Sequence, residues 1–423
     1  MRILFLTQIV PYPPDAGPKI KTWNVLRFLA QRGHEIVLVT FCRPQEREFL
    51  AAVREVCQEV HPIRIRRSRL GDVFYWARSM VSGRPFLIER DDDRGMRRVV
   101  DALLAAGRFD VVHADQLTMT QFVSHLAVNG RGHGAGGHEA LARRPRLIFD
   151  AHNAVWTILK RMRASAPLWL RPIVAMEQKR VERYEGRVVA TFDYTLAVSE
   201  ADRKALAQAA LGHGAQGGAR GGVIGVVPIA IDARRQDPPR PLPNTREIVT
   251  IGTLHYPPNA DGIRWFLKDV FPLVQARVPE ATLSIIGKNP PDDLRELAGG
   301  FGGRVTVTGY LPDLEPWMAK AALMVVPVRA GGGMRVRILE GFARGMPMVT
   351  TTLGLEGIQA RPGEDVLVAD TEADFAEAVV RLLADPGLRQ RLSASGRQVA
   401  VSRYDWEVVL RRLEDAYTLE GAA

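Results

Sequence analysis

Residues 329–358, RAGGGMRVRILEGFARGMPMVTTTLGLEGI, hold the densest chemistry in the chain. An apolar run, LMVVPV, passes into Gly331, Gly332 and Gly333 and then directly into a helical pattern. Backbone N–H groups and a helix N-terminus that converge on one point favour an anion, typically a phosphate. Arg335 and Arg337 add fixed positive charge with planar, multidentate donors suited to a diphosphate. Glu340, about one turn past Arg337, offers a carboxylate to ribose hydroxyls. The plainer alternative is an i,i+3 surface pair between Arg337 and Glu340, worth ~0.2–0.5 kcal/mol, with the glycines merely making a turn. Three consecutive glycines followed by two arginines favour the anion site.

A second candidate is RLIFDAHNAVW, residues 146–156, where Asp150, His152 and Asn153 close an apolar run. An imidazole there can exchange hydrogen bonds with a sugar hydroxyl or a developing phosphate charge. The plain alternative is a core-edge histidine satisfied by Asp150. A third is TQIVPYPPDAGPK, residues 7–19, where four prolines stiffen a loop and Gly17 permits close approach of a ligand. It contains neither GxGxxG nor GxxxxGK[ST], which argues against dinucleotide and P-loop readings. Asp91, Asp92 and Asp93 precede a helix start, where acidic residues suit the dipole, so no metal site is assigned to them. His133, His138 and His213 lie in Gly-rich stretches at irregular spacing and read as loop histidines.

These residues need a scaffold. A chain of 423 residues, 46% hydrophobic and 25% charged, predicts two folded domains of about 200 residues each. β-branched apolar runs alternate with helical-period segments, the pattern of parallel sheets with crossover helices. Strands are expected at 3–7, 36–40, 60–65, 111–114, 147–151, 195–199 and 224–228, then at 248–252, 282–287, 305–309, 323–328, 348–352 and 366–369. The opening MRILFLTQIV reads as a buried first strand and not as a signal peptide. Prolines clustered in 232–247 mark the division, and the Gly-rich segments 129–144 and 211–222 read as surface loops. The expected domains are 1–236, 244–400 and a C-terminal helix in 401–423, with an amphipathic pattern over 405–417. Two cysteines without CxxC spacing, Cys42 and Cys57, suit a reducing cytoplasm, and no run is long enough to span a bilayer.

The net charge of +10 concentrates in two places. Residues 61–84 hold six Arg against one acidic residue, with Leu70, Val73, Phe74, Ala77 and Val81 at helical spacing. Residues 160–187 hold eight basic against three acidic residues, with Leu168, Trp169, Leu170, Ile173 and Val174 among them. Both fit either a surface that lies on anionic lipid or ordinary helices with solvated basic faces.

Taken in order, MRILFLTQIVPYPPDAG, FDAHNAVW, LAVSEADRKAL with VVPIAID, IGTLHYPPNADGIRWF and GGGMRVRILEGFARGMPMVTTTLGLEGI resemble the retaining glycosyltransferases of the B-type fold, family four, over nearly the whole chain. The resemblance implies two doubly wound, Rossmann-like α/β domains facing across a cleft, with a C-terminal helix crossing back to the first. It implies a nucleoside-diphosphate sugar as co-substrate, no cofactor, no metal and no nucleic acid. Glu340 matches the second glutamate of the family's E-x7-E motif, which binds the donor ribose. Gly331, Gly332, Gly333 and Met334 match the loop that meets diphosphate and sugar, and Gly17 matches the first-domain glycine loop near the donor phosphates. His152 matches a histidine near the reacting sugar, and Glu356 a position at the donor end of the next strand.

The chain departs from the pattern at Gly332, where the first glutamate would stand, and at Ile229 and Ala230, where Asn-Gly is common. The loop 253–263 has no Arg or Lys, so Arg335 and Arg337, with Asn259 nearby, are expected to supply that charge. The expected activity is metal-independent transfer of a sugar, with retention, to a glycan or lipid-linked acceptor. It would serve bacterial surface polysaccharide or glycolipid synthesis, in the cytoplasm or on the inner face of its membrane. Two alternatives are a nucleotide-sugar epimerase on the same scaffold and a binding protein that has lost catalysis.

Overall fold

Apolar strands buried on both faces are the element from which the molecule is built. In β1 (Arg2–Thr7) Ile3, Leu4, Phe5 and Leu6 are fully buried, and β11 (Ala321–Val326) is buried throughout. Such strands belong to parallel sheets covered by helices on both sides. The computed structural model describes residues 1–65, 67–129, 144–211, 222–234 and 245–418. Residues 130–143 with His133 and His138, 212–221 with His213, and 235–244 of the proline-rich segment lie outside the described residues.

The chain divides into two units, Met1–Pro228 with Leu410–Ala423, and Ile229–Val409. The first unit contains β1, β2 (Glu35–Cys42), β3 (Glu59–Arg64), β4 (Val111–Asp115), β5 (Arg146–Ala151), β6 (Tyr194–Ala197) and β7 (Val223–Val226). They form one parallel sheet in the order β3-β2-β1-β4-β5-β6-β7. The second unit contains β8 (Glu247–Ile251), β9 (Thr282–Ile286), β10 (Val305–Gly309), β11, β12 (Met348–Thr350) and β13 (Leu367–Val368), in the order β10-β9-β8-β11-β12-β13. In each sheet the order reverses beside the first strand, at β1/β4 and at β8/β11. Such switch points are where open α/β sheets bind ligands, outside the carboxyl ends of the strands. Each expected strand is present, and the two-sheet α/β architecture is the one read from the sequence.

The C-terminal stretch is not one continuous helix. It consists of three short turns, Trp406–Val409, Leu410–Leu413 and Glu414–Tyr417, and the chain passes from the second unit to the first between the first two. Within the first unit Leu410, Leu413, Ala416 and Tyr417 are buried, and Arg32 pairs with Glu414 at 2.6 Å. Within the second, Ile231 bridges Asp405. No helix among the described residues is long and apolar enough to cross a membrane.

Two glycines set the spacing at the carboxyl edge of the second sheet. A Cβ on Gly287 would fall 1.8 Å from the Gly252 carbonyl oxygen. One on Gly262 would fall 1.6 Å from that of Pro327. The helix Pro257–Trp265 therefore rests on the end of β11 only because position 262 has no side chain. Gly262→Ala must push that helix away and should lower the stability of the second unit by ~1–3 kcal/mol. An unchanged urea midpoint would show that the close approach is not needed.

Candidate functional site

In the second unit, β11 runs into the glycine loop, and the helix Val336–Ala343 follows it. Gly331 and Gly333 adopt φ of +94° and +85°, a region that only glycine enters without strain. Met334 is buried and anchors the loop from beneath. Arg335 does not extend outward. Its guanidinium donates to the carbonyl oxygens of its own loop, Gly332, Gly333 at 2.7 Å and Ala330 at 3.5 Å. The two arginines, expected to act alike, therefore differ. Arg335 braces the turn, because the glycine loop exposes carbonyls that need donors.

Arg337 crosses instead to the neighbouring strand. Its Nη1 donates to the Ile251 carbonyl at 3.3 Å at the end of β8, and its Nε is buried without a hydrogen-bond partner. A Cβ on Gly252 would lie 2.6 Å from that Nη1 and 3.4 Å from Asn259 Nδ2, so glycine at 252 opens the space both side chains use. Asn259 in turn donates to the Thr253 carbonyl at 3.1 Å. Arg337 thus stands at the loop after β8, where the sequence lacks an Arg or Lys of its own. Burial, with Arg335 adding to it, pulls its pKa down to about 10.

Glu340 is one turn along the same helix. Its carboxylate makes no hydrogen bond to the described residues, and burial raises its pKa, with Arg344 opposing. The i,i+3 pair with Arg337 does not form. Glu356 lies in the turn after β12, the parallel neighbour of β11, on the same edge of the sheet. One helix thus carries a guanidinium that has no carboxylate partner and leaves its Nε unbonded, and a carboxylate that has no donor among the described residues.

In the first unit, strand register does the assembling. Thr7 pairs with Asp115 across β1 and β4, and Asp115 with Asp150 across β4 and β5, so three polar residues line up at the carboxyl edge. The helix Gly17–Gln31, which starts at Gly17, brings Lys21 and Thr22 to the same place. Lys21 forms a fully buried ion pair with Asp150. His113 Nε2 lies 3.4 Å from Asp150 Oδ2, and His113 Nδ1 lies 2.6 Å from the hydroxyl of Tyr417. Burial opposes ionisation of Asp150, but Lys21, His113 and His152 prevail and hold its carboxyl well below the usual range.

His152 follows β5, and the helix Val155–Ser165 begins three residues later. Glu185 caps that helix, accepting from the Val155 and Trp156 N–H groups at 2.8 and 3.1 Å. Burial pushes the Glu185 carboxyl up to about 8. The plain alternative for His152 was a core-edge histidine satisfied by Asp150. The structure gives it Asp115 instead, Nε2 to Oδ1 at 2.6 Å, because Asp150 is taken by Lys21. Asp115, Lys21, Thr22 and His113 were not singled out from the sequence. The signal for two of them was there, in the polar residues that close the apolar run VVHAD. His113, Asp115 and Asp150 each place one ligand-type atom within 4.8 Å of the others, with the Lys21 ammonium bonded to Asp150 as its counter-charge.

With this geometry in view, comparison with known proteins is informative. Residues 245–385 match the family Glycosyl transferases group 1. Phosphatidyl-myo-inositol mannosyltransferase of Mycobacterium leprae is 31% identical over 155 residues, 36% of this chain and 41% of the relative. A lipopolysaccharide core biosynthesis glycosyltransferase of Rhizobium meliloti is 34% identical over 149 residues, 34% of this chain and 42% of the relative. The chain thus spans about two-fifths of the length of these curated relatives.

Among solved structures, Anabaena HepE in complex with UDP and glucose matches with a TM-score of 0.65 at 16% identity, over 98% of both chains. Sucrose-phosphate synthase of Thermosynechococcus elongatus matches with 0.68 at 17% identity, over 99% of this chain and 98% of the other. The fold is that of the B-type glycosyltransferases, two parallel-sheet α/β domains. The match over 245–385 covers the greater part of the second unit, the unit that carries the glycine loop.

A partly buried guanidinium kept without a counter-charge should cost stability. Arg337→Met should leave the stability of the second unit, read by urea unfolding, unchanged or raise it by up to ~2 kcal/mol. A large loss of stability would mean that Arg337 is structural.

Proposed function

We propose that the chain is a glycosyltransferase that moves a sugar from a nucleoside-diphosphate sugar to an acceptor hydroxyl with retention of configuration. The observation that carries the reading is the pair of charged groups on the helix Val336–Ala343 that do not pair with each other, with Arg337 for the diphosphate and Glu340 for the ribose hydroxyls. Arg337, the loop amides of Gly331–Gly333 and the helix N-terminus stabilise charge on the departing diphosphate without a metal ion, as preorganised dipoles and charges do. Arg335 contributes by holding the loop in shape. Asn259 and Glu356 complete the donor end. The first unit, with His152, binds the acceptor, and Gly17 is assigned to the donor phosphates. Two relatives, the phosphatidyl-myo-inositol mannosyltransferase and the lipopolysaccharide core biosynthesis glycosyltransferase, support a lipid-linked or polysaccharide acceptor.

A thermal-shift panel of UDP, GDP, ADP and dTDP with their sugar conjugates tests the donor site, since a ligand of the folded state stabilises by ~2.7 kcal/mol at a hundredfold excess over its Kd. One nucleotide family should shift the wild type and fail with Glu340→Ala. No shift with any of them would leave the missing glutamate at Gly332 as the mark of a lost donor site. Product analysis with and without a lipid acceptor then separates transfer from epimerisation and from binding alone.

The acceptor class has a second support, in the surface of the first unit. The helix Arg69–Ser82 leaves Leu70 and Val81 85% and 91% exposed, with Val73, Phe74 and Trp76 also out. Leu168 and Trp169, before the helix Arg171–Thr191, are 77% and 74% exposed. The helices Arg69–Ser82 and Arg171–Thr191 touch where Arg180 donates to the Ser79 carbonyl at 3.3 Å. Part of the basic charge is spent internally, Arg78 and Arg84 on Glu89 and Asp92. What remains suits a peripheral contact with anionic lipid. Vesicles of phosphatidylglycerol should sediment the protein, more weakly as salt rises, and Phe74→Asp with Trp169→Asp should release it. Equal recovery with vesicles of phosphatidylcholine alone would retire the anionic contact.

A further inference from the structure

The environment of His152 is more specific than an edge histidine requires. Asp115, at the end of β4, is fully buried and makes its hydrogen bonds from both oxygens. Oδ2 lies 2.9 Å from the Thr7 hydroxyl and 2.8 Å from that of Thr22, which is also 2.9 Å from the Pro18 carbonyl. Oδ1 is left for His152 Nε2, at 2.6 Å. An ionised carboxylate can only accept, so the proton in that contact sits on Nε2. The neighbouring carboxylate, Asp150, is paired through Oδ1 with the Lys21 ammonium, and its Oδ2 lies 3.4 Å from His113 Nε2 without a hydrogen bond to it, so the contact of His152 Nε2 is with Asp115 alone. Nδ1 of His152 is buried and has no hydrogen-bond partner among the described residues. A buried polar atom left without a partner is costly, and in native structures it marks a place where a ligand or water completes the set.

We infer that Asp115 is a positioning residue that fixes His152 as the Nε2–H tautomer and so presents Nδ1 as an acceptor for a hydroxyl of the bound substrate. The ligand class follows from the atom. A neutral imidazole nitrogen with a lone pair takes an O–H donor, as a sugar or polyol supplies, and does not itself donate to a phosphate. The carboxylate behind the ring also stabilises the imidazolium if that proton is taken up as the hydroxyl attacks. The assignment of the hydroxyl to an acceptor rests on the transfer reading above. The tautomer does not.

The test has two independent arms. In 15N-histidine NMR near neutral pH, with the His152 signal identified by its loss in His152→Gln, the wild type should show Nε2 protonated and Nδ1 bare. An Nδ1–H tautomer, or a ring protonated on both nitrogens, would overturn the proposal, whatever the enzyme does. In the second arm, Asp115→Asn offers the ring an amide, which frees Nε2 to become the acceptor. Nucleoside diphosphate release from UDP-glucose and from GDP-mannose should fall in kcat by about 10²-fold or more, with the donor KM and the nucleotide thermal shift of the second unit preserved. Asp115→Glu should recover part of kcat. A variant Asn enzyme with unchanged kcat, or one in which kcat and the melting temperature fall together and Glu recovers neither, would reduce Asp115 to a structural role. If neither sugar nucleotide is turned over by the wild type, the transfer reading fails on those donors while the NMR arm still decides the tautomer.

Discussion

Parallel pairing of strands buried on both faces constrains everything else in this molecule. Strand bodies such as Ile3–Leu6 cannot carry polar side chains without desolvating them, so polar groups gather where strands end. Parallel register then aligns those ends. Thr7, Asp115 and Asp150 are consecutive across three strands because β1, β4 and β5 run the same way, and an antiparallel neighbour would have sent one of them to the opposite edge. The same rule brings Gly252, the glycine loop and the turn after β12 to one edge of the second sheet.

The two edges treat charge differently. In the first unit each buried charge is answered from within: Lys21 by Asp150, and Asp115 by two threonines and His152. This costs desolvation, and at this edge it leaves three buried polar atoms without a hydrogen-bond partner among the described residues: His152 Nδ1, His113 Nε2 and Asp150 Oδ2. In the second unit Arg337 and Glu340 share a helix face and do not pair, so the unit retains an uncompensated cation and anion. A protein shaped only for stability would not keep both. The contrast fits a donor held largely by charge in one unit and a neutral, hydroxyl-bearing partner in the other.

Glycine has a distinct role at each level of the second site. At 331 and 333 it supplies left-handed backbone, at 252 it clears space for Arg337, and at 262 and 287 it lets backbone approach backbone. Gly332 stands where the resemblance implies a glutamate, so this loop has no carboxylate of its own at that position. Arg335, turned back on the carbonyls around it, shows how a loop of glycines without that side chain is held in shape.

The sequence by itself determined the strands, the two-sheet architecture and the identity of the glycine loop, because hydrophobic period and glycine runs are local properties of the chain. It also determined that His152 and Asp150 end a strand together. It did not determine which carboxylate His152 would meet. Asp115 is 37 residues away, and only the register of β4 against β5, with Lys21 arriving from another helix, assigns one aspartate to the lysine and the other to the histidine. Nor could it separate Arg335 from Arg337, two positions apart and of one type. Their roles diverge because the helix start points one guanidinium at its own loop and the other at a neighbouring strand. Local pattern fixes elements, whereas the partner of a side chain depends on which elements tertiary packing sets beside it.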